Sequence, residues 1–333
     1  MCKPILGRDK RINISTVKNY YNTLRLLENF ATNSCNTLLL HELKGNNKRE
    51  FQLVKKYAAS FYKKFCAYLF QDLKVINNYA GQNIKIIRIF YNWCLYEKGI
   101  AVGNFHKSFY VLNEEIPVIT LSLEQLNFLI YDAAFTASLK PYLQKAKEVF
   151  IVGCVVGLRI SDLKRLQQQH IFFRDGYTYL RICTQKTGYE TMIKLPPFAV
   201  DIIKKYEGKY KNLLPITINC RFNKSIKVIC EQAGWTAEMP KERTMGNKKI
   251  SIKHPDNRNK QYRFCDLISS HTMRRTCITN MLTAGMPEHV VRKISGHTND
   301  SKSFFRYVSL AQKLVDTEID KLFMRLTPSE KKS

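Results

Sequence analysis

No run of about 18 apolar residues occurs in the chain, which excludes a bilayer-spanning helix. The N-terminal stretch MCKPILGRDKRINIS has none of the apolar h-region of a secretory signal, so the protein is expected to remain in the cytoplasm. No CxxC pair is present. The cysteines, at 2, 35, 66, 94, 154, 183, 220, 230, 265 and 277, sit mostly among apolar neighbours, as in FCAYLF and WCLY. They read as buried reduced thiols, not as disulfides or zinc ligands. The seven histidines show no HExxH or other metal spacing, so neither a structural metal nor a cofactor is expected. Internal repeats and low-complexity tracts are missing too.

Acid is also scarce, with 27 Asp+Glu against 54 Lys+Arg and a net charge of +27. The 45% hydrophobic and 24% charged fractions are those of a globular protein and not of a disordered basic tail. The excess charge therefore belongs to a folded surface. A field of that size fits a polyanion, with DNA or RNA first and an anionic membrane surface second. The 333 residues suit two domains. Residues 1 to 116 carry 18 basic and 8 acidic side chains and the remainder 36 and 19, so both parts are cationic. Two domains touching one polyanion explain that split better than a binding domain attached to a neutral enzyme.

The first part reads as helices. Ser15 to Phe30 spaces Val17, Tyr20, Tyr21, Leu24, Leu27 and Phe30 by three and four, with Ser15 as N-cap. Phe51 to Leu69 and Ile84 to Tyr96 repeat the pattern, with Lys55, Lys56, Lys63, Lys64, Lys85 and Arg88 near their polar faces. A solvated face explains any single pair of these charges equally well. After a connector with Pro117, Ser122 and Gln125 form a capping box that opens a second domain. The division expected is 1–112, a linker at 113–120, and 121–333. Tyr142 to Val156 reads as a helix stopped by Gly157; residues 172 to 196 alternate as strands turning at Gly176 and Gly188. Helices return near 197–211 and 222–233. Pro240 to Arg263 is strongly basic and predicts a loop or hairpin, and three or four short helices finish the chain from Ser270 to Arg325.

Six residues of the second part stand out. GLRISDL puts Arg159 between the helix-ending Gly157 and a helix start at Ser161, with Asp162 placed to orient it. SSHTMRRT sets His271 and Arg274 on one face of a first helical turn, behind Ser270 as N-cap, where the helix dipole favours an anion. Lys186 lies at the strand turn TQKTGYE, His297 in SGHTND and Tyr307 in FFRYVSL. Each alone has an ordinary reading: a surface arginine, a capping histidine, an idle turn lysine, a packed tyrosine. Together they have chemical sense. Two arginines can grip a phosphodiester and offset charge in a pentacoordinate transition state. A tyrosine hydroxyl, weak as a nucleophile at a free pKa of about 10, needs a base and cationic surroundings. Histidine moves protons near neutrality, and lysine can protonate a leaving alkoxide. The set reads as one for DNA cleavage through a phosphotyrosyl intermediate.

In this order and spacing, GLRISDL, QKTG, HTMRRT, the GH pair and the tyrosine resemble the tyrosine recombinase, or phage integrase, family, most of all integrases of mobile elements in the Bacteroidetes. The resemblance implies a mainly α fold with a small β-sheet: a helical SAM-like core-binding domain and a mixed α/β catalytic domain closing on duplex DNA at a specific recombination site. It implies Tyr307 as nucleophile, forming a 3′-phosphotyrosyl link, with Arg159 and Arg274 on the phosphate, His271 as acid/base, His297 hydrogen-bonding the phosphate and Lys186 protonating the 5′-oxygen. Neither ATP nor metal is needed, because the bond energy is held in the protein ester. It also implies a monomer that assembles as a homotetramer on two sites through a Holliday junction, accessory bending or excision factors, a nucleoid location, and a helix from about Ala311 to Phe323 packing on a neighbour or on its own core. Few residues precede Ser15, which leaves little room for an arm-binding domain. Two other readings stay open. One is a type IB topoisomerase, which shares this active-site logic, and the other is a DNA-binding factor whose six residues only hold phosphates.

Overall fold

The structure, a computed structural model, describes residues 12–33, 38–45, 47–186, 188–255, 260–297 and 301–326. In chain order it runs through α1 (Ile14–Asn33), α2 (Lys48–Ala67), α3 (Asn77–Tyr96), α4 (Leu123–Tyr131), α5 (Ala133–Ser138), α6 (Pro141–Val156) and α7 (Ile160–Leu163). Three strands follow, β1 (Ile171–Arg174), β2 (Tyr177–Cys183) and β3 (Glu190–Lys194), then α8 (Pro197–Tyr206) and α9 (Asn219–Gln232). The hairpin β4 (Glu242–Met245) and β5 (Lys248–Ser251) precedes α10 (Phe264–Leu267), α11 (Ser270–Thr283), α12 (Glu288–Ser295) and α13 (Lys302–Leu326). The fold is mainly helical with small sheets, as expected. No helix among the described residues is long and apolar enough to cross a membrane.

The chain forms two compact units, 1–116 with 241–252, and 117–240 with 253–333. In contrast to the division expected from sequence, the hairpin β4–β5 belongs to the first unit. Two side chains of that unit hold its backbone. Asn77 reads both edges of Gly246, donating Nδ2–H to its carbonyl at 3.0 Å and accepting its N–H at 2.8 Å. Glu114 accepts the N–H of Thr244 at 3.0 Å and its hydroxyl at 3.1 Å. A strand ladder two strands wide is marginal alone, so these bonds give the hairpin its support.

The first unit is built on an aromatic core in which Phe30 meets Phe65 edge-on at 5.3 Å and Phe61 stacks on Phe65 at 5.7 Å. Its helices depart from the expected stripes. Asn13, not Ser15, caps α1, accepting the Ser15 N–H at 3.0 Å. The face α1 buries is Thr23, Leu26 and Phe30, whereas Tyr21 and Leu24 are about half exposed. Thr23 lies there because its hydroxyl donates to Asn83 Oδ1 at 2.8 Å, a polar contact that apolar periodicity does not register. Lys55, Lys56, Lys63, Lys64 and Lys85 are exposed, while Arg88 is half-buried and donates to the Phe109 carbonyl.

In the second unit α6 is buried almost all round and serves as the central post against which α8, α9 and α11 pack. The Ser122–Gln125 capping box is present, with bonds of 3.2 and 3.0 Å. The strands form an antiparallel sheet in order β1-β2-β3, turning at Asp175–Gly176, both at positive φ. Three helices, α11 to α13, follow from Ser270 as expected, but the last is not short: α13 runs 25 residues and carries Tyr307 in its second turn. Of the described cysteines, 94, 154, 230, 265 and 277 are buried as expected, Cys66 is half-buried, and 183 and 220 are exposed; Cys2 and Cys35 lie outside the described residues.

Candidate active site

Arg159, Lys186, His271, Arg274, His297 and Tyr307 line a single cleft of about 190 Å³, wholly within the second unit. Each is delivered by a different local device. Helix α6 ends at Gly157 in the left-handed conformation (φ 62°), and a Cβ there would lie 2.8 Å from Cys277 Sγ, so glycine alone turns the chain at that point. Two residues on, Arg159 is the extended N-cap residue of α7, which begins at Ile160 and not at Ser161. Its Nη1 is buried without a hydrogen-bond partner. Asp162 does not orient it. The fully buried carboxylate instead accepts from Arg165 Nη2 at 3.0 Å and from the backbone N–H of Gln185 at 2.9 Å. The second bond ties the β2–β3 turn to α7 and thereby fixes the base of Lys186, whose side chain is exposed.

His271 and Arg274 stand on the first turn of α11. The cap residue is Ser269, one before the position expected, with its N–H on Thr272 Oγ1 at 3.0 Å. Helix α11 approaches α6 so closely that a Cβ on Gly153 would fall 2.2 Å from Met273 Sδ. That approach buries Arg274, 2% exposed, which donates Nη1–H to the Gly157 carbonyl at 3.0 Å. The same carbonyl belongs to the glycine that starts the Arg159 junction, so both arginines hang from one backbone corner. His297 follows α12, whose end is docked on the sheet by the Thr191 hydroxyl donating to the Ile294 carbonyl at 2.6 Å. Tyr307, 6% exposed, packs with Ile278, Val291 and Phe304. Its ring centroid is 6.0 Å from that of His297.

The electrostatics are one-sided. Among the described residues the lining holds no carboxylate; Arg275 and Arg306 add to its cations, and Val118 is its one aliphatic side chain. Arg306 was not singled out from the sequence, where its signal was its place next to Tyr307. Burial and then the Arg159 charge pull the Arg274 guanidinium down to about 10. His271 is pushed down to about 4 by burial and then by Arg275, Arg274, Arg159 and Lys186. Its ring remains open to solvent at the mouth of the cleft, so the four cations are the more durable cause. Burial, followed by Arg274, Arg159, Arg292 and His271, takes His297 down to about 3. Both imidazoles are neutral at pH 7. A compact cluster of cations with an unpartnered guanidinium edge is complementary to an oxyanion.

The family model described as the phage integrase family matches residues 130–313. This chain belongs to the phage integrase family. It is thus a DNA strand-transfer enzyme of the tyrosine-recombinase type. No curated protein sequence matches this family member. Among solved structures it is similar to a lambda integrase dimer bound to a COC′ core site, with 14% identity, 91% of this chain and 90% of that chain covered and a TM-score of 0.56. A lambda integrase tetramer bound to a Holliday junction matches at 14% identity, 87% and 74% coverage and a TM-score of 0.50. The Tn1549 transposon integrase in complex with circular intermediate DNA matches at 14% identity, 90% and 91% coverage and 0.53. XerH site-specific recombinase on a palindromic difH substrate matches at 12% identity, 88% and 76% coverage and 0.58. At these identities the likeness to the integrase-family chain is one of fold.

Proposed function

We propose that this chain is a site-specific recombinase that cleaves duplex DNA with Tyr307 and serves to integrate, excise or resolve a mobile element. The observation that carries this reading is the convergence of Tyr307, Arg159 and Arg274 on one cleft, which Lys186, Arg275 and Arg306 also line. Tyr307 Oη attacks phosphorus, the Oη–P bond forms and the P–O5′ bond breaks, leaving a 3′-phosphotyrosyl ester and a 5′-hydroxyl. Arg159 and Arg274 hold the non-bridging oxygens, and the free Nη1 of Arg159 is a donor available for one of them. His271 takes the tyrosine proton. It is neutral at pH 7, as a base must be, and the negative charge of a bound phosphate offsets its surrounding cations and raises its affinity for that proton. Lys186 supplies the proton that the leaving 5′-oxygen requires. His297 donates to the phosphate once it has itself gained a proton. Religation runs the same steps in reverse, so the ester conserves the bond energy.

The first unit, with its exposed lysines on α2 and α3, grips the DNA backbone. The chain's likeness to the core-site and Holliday-junction complexes of lambda integrase supports assembly of four copies on two sites; accessory DNA-bending factors are further partners of this proposal. A suicide substrate nicked near the cleavage position tests the chemistry. Wild type accumulates a covalent protein–DNA complex and Tyr307→Phe accumulates none. A covalent complex persisting in the phenylalanine variant overturns the assignment of the nucleophile.

A further inference from the structure

We infer that Ser295 is a positioning residue that locks the tautomer of His297, so that Nε2 is the ring nitrogen left without a proton. The inference rests on the recombinase reading above but stands on its own geometry. Ser295 is the last residue of α12 and is 2% exposed. Its Oγ lies 2.6 Å from the Val291 carbonyl and 2.8 Å from His297 Nδ1. A carbonyl has no proton to give, so the bond to Val291 uses the hydroxyl hydrogen of Ser295. The serine oxygen therefore faces Nδ1 as an acceptor, and Nδ1 must carry the imidazole proton. A bare Nδ1 would set two lone pairs against each other at 2.8 Å.

It follows that Nε2 of the neutral ring bears the free lone pair. Arg274 Nη2 lies 3.1 Å from both ring nitrogens, which places the guanidinium against the ring and off the in-plane lone pair of Nε2. The relay runs from the Val291 carbonyl through Ser295 to His297, whose ring lies against the Arg274 guanidinium that the Gly157 carbonyl holds at Nη1. The tautomer also has a second consequence. Nε2 has no hydrogen to offer a phosphate until it is protonated, and on protonation Nδ1–H stays on Ser295 while Nε2–H turns toward the anion.

Long-range ¹⁵N–¹H NMR on the histidine-labelled full chain, with His297→Gln to assign the signal, reads the tautomer directly. The wild type is expected to show a protonated Nδ1 and a bare Nε2. Ser295→Ala loses that signature to a mixture of tautomers, and its suicide-substrate cleavage falls about tenfold, the worth of one hydrogen bond, at unchanged DNA affinity. Ser295→Thr restores both. A proton on Nε2 in the wild type overturns the inference. So does an Ala variant that keeps the Nδ1–H signature, or one that loses it and cleaves at the wild-type rate. Failure of the recombinase reading is separately visible, as absence of any covalent complex in the wild type while the tautomer signal stands.

Discussion

Asp162 Oδ1 accepts the backbone N–H of Gln185 at 2.9 Å, joining the arginine corner to the lysine turn through a carboxylate that is fully buried. The donor is a peptide group and not a side chain, so it fixes backbone and leaves the Lys186 side chain free to swing. Asp162→Ala leaves that N–H without its partner and removes one of the two acceptors of Arg165 Nη2, at a cost of about 1–3 kcal/mol. The variant is expected to melt earlier and to lose cleavage activity. If the loss comes from a displaced Lys186, a 5′-bridging phosphorothiolate, whose sulfur leaves without a proton, restores cleavage in Asp162→Ala as it does in Lys186→Ala. Failure of that substrate to rescue Asp162→Ala shows that the carboxylate serves something other than the lysine.

The histidines make stability depend on pH in a definite direction. Their folded pKa values, about 4 for His271 and about 3 for His297, lie below the unfolded value, so the unfolded chain binds more protons between roughly pH 6.5 and pH 3. Stability therefore falls as the pH is lowered through that window and is level above it. Denaturation curves measured from pH 7.5 to 4.5 are expected to show this slope, reduced in a His271→Gln, His297→Gln double variant. DNA works in the opposite sense by supplying negative charge, so binding near pH 5.5 takes up protons. Calorimetry in buffers of different ionisation enthalpy counts that uptake.

Gly153 has no room for a methyl group. The Met273 sulfur would lie 2.2 Å from a Cβ at this position, and Met273 is completely buried. Gly153→Ala therefore forces α6 and α11 apart, for about 1–3 kcal/mol of stability. Because α11 carries His271 and Arg274, the variant also loses cleavage activity. Shortening the methionine in Gly153→Ala, Met273→Ala is expected to recover part of the helix packing, read as a melting temperature above that of the single variant.

The hairpin offers a test of where the first unit ends. Asn77→Ala removes both bonds to Gly246, and Glu114→Ala both bonds to Thr244. In the double variant, hydrogen exchange at 241–252 is expected to accelerate by more than tenfold while the amides of α6 and α11 keep their protection. Unchanged exchange in the hairpin means that other contacts hold it.

The set of cleft residues was legible in the sequence because it resides in residue types and their order. Arg159, Lys186, His271, Arg274, His297 and Tyr307 are all found on one cleft. The capping box at Ser122, the glycine stop at Gly157 and the turns of the sheet were legible for a related reason, since caps and positive φ are local demands. Errors of one or two positions, as at Asn13, Ile160 and Ser269, are of the size expected for helix ends, where several polar side chains compete to cap. The buried face of α1 was misjudged because Thr23 is satisfied by Asn83, sixty residues away in the chain.

Net charge, the six residues and their order were determined by sequence alone, and with them the class of reaction. Tertiary structure decided the partners: that Asp162 serves the lysine turn instead of Arg159, that β4–β5 completes the first unit, and that Ser295 sets the proton on His297. The physical reason is that a hydrogen bond requires a donor and an acceptor within about 3 Å, a distance fixed only by packing between elements far apart in the chain. Composition shows which groups can bond. Only the fold selects which of them meet.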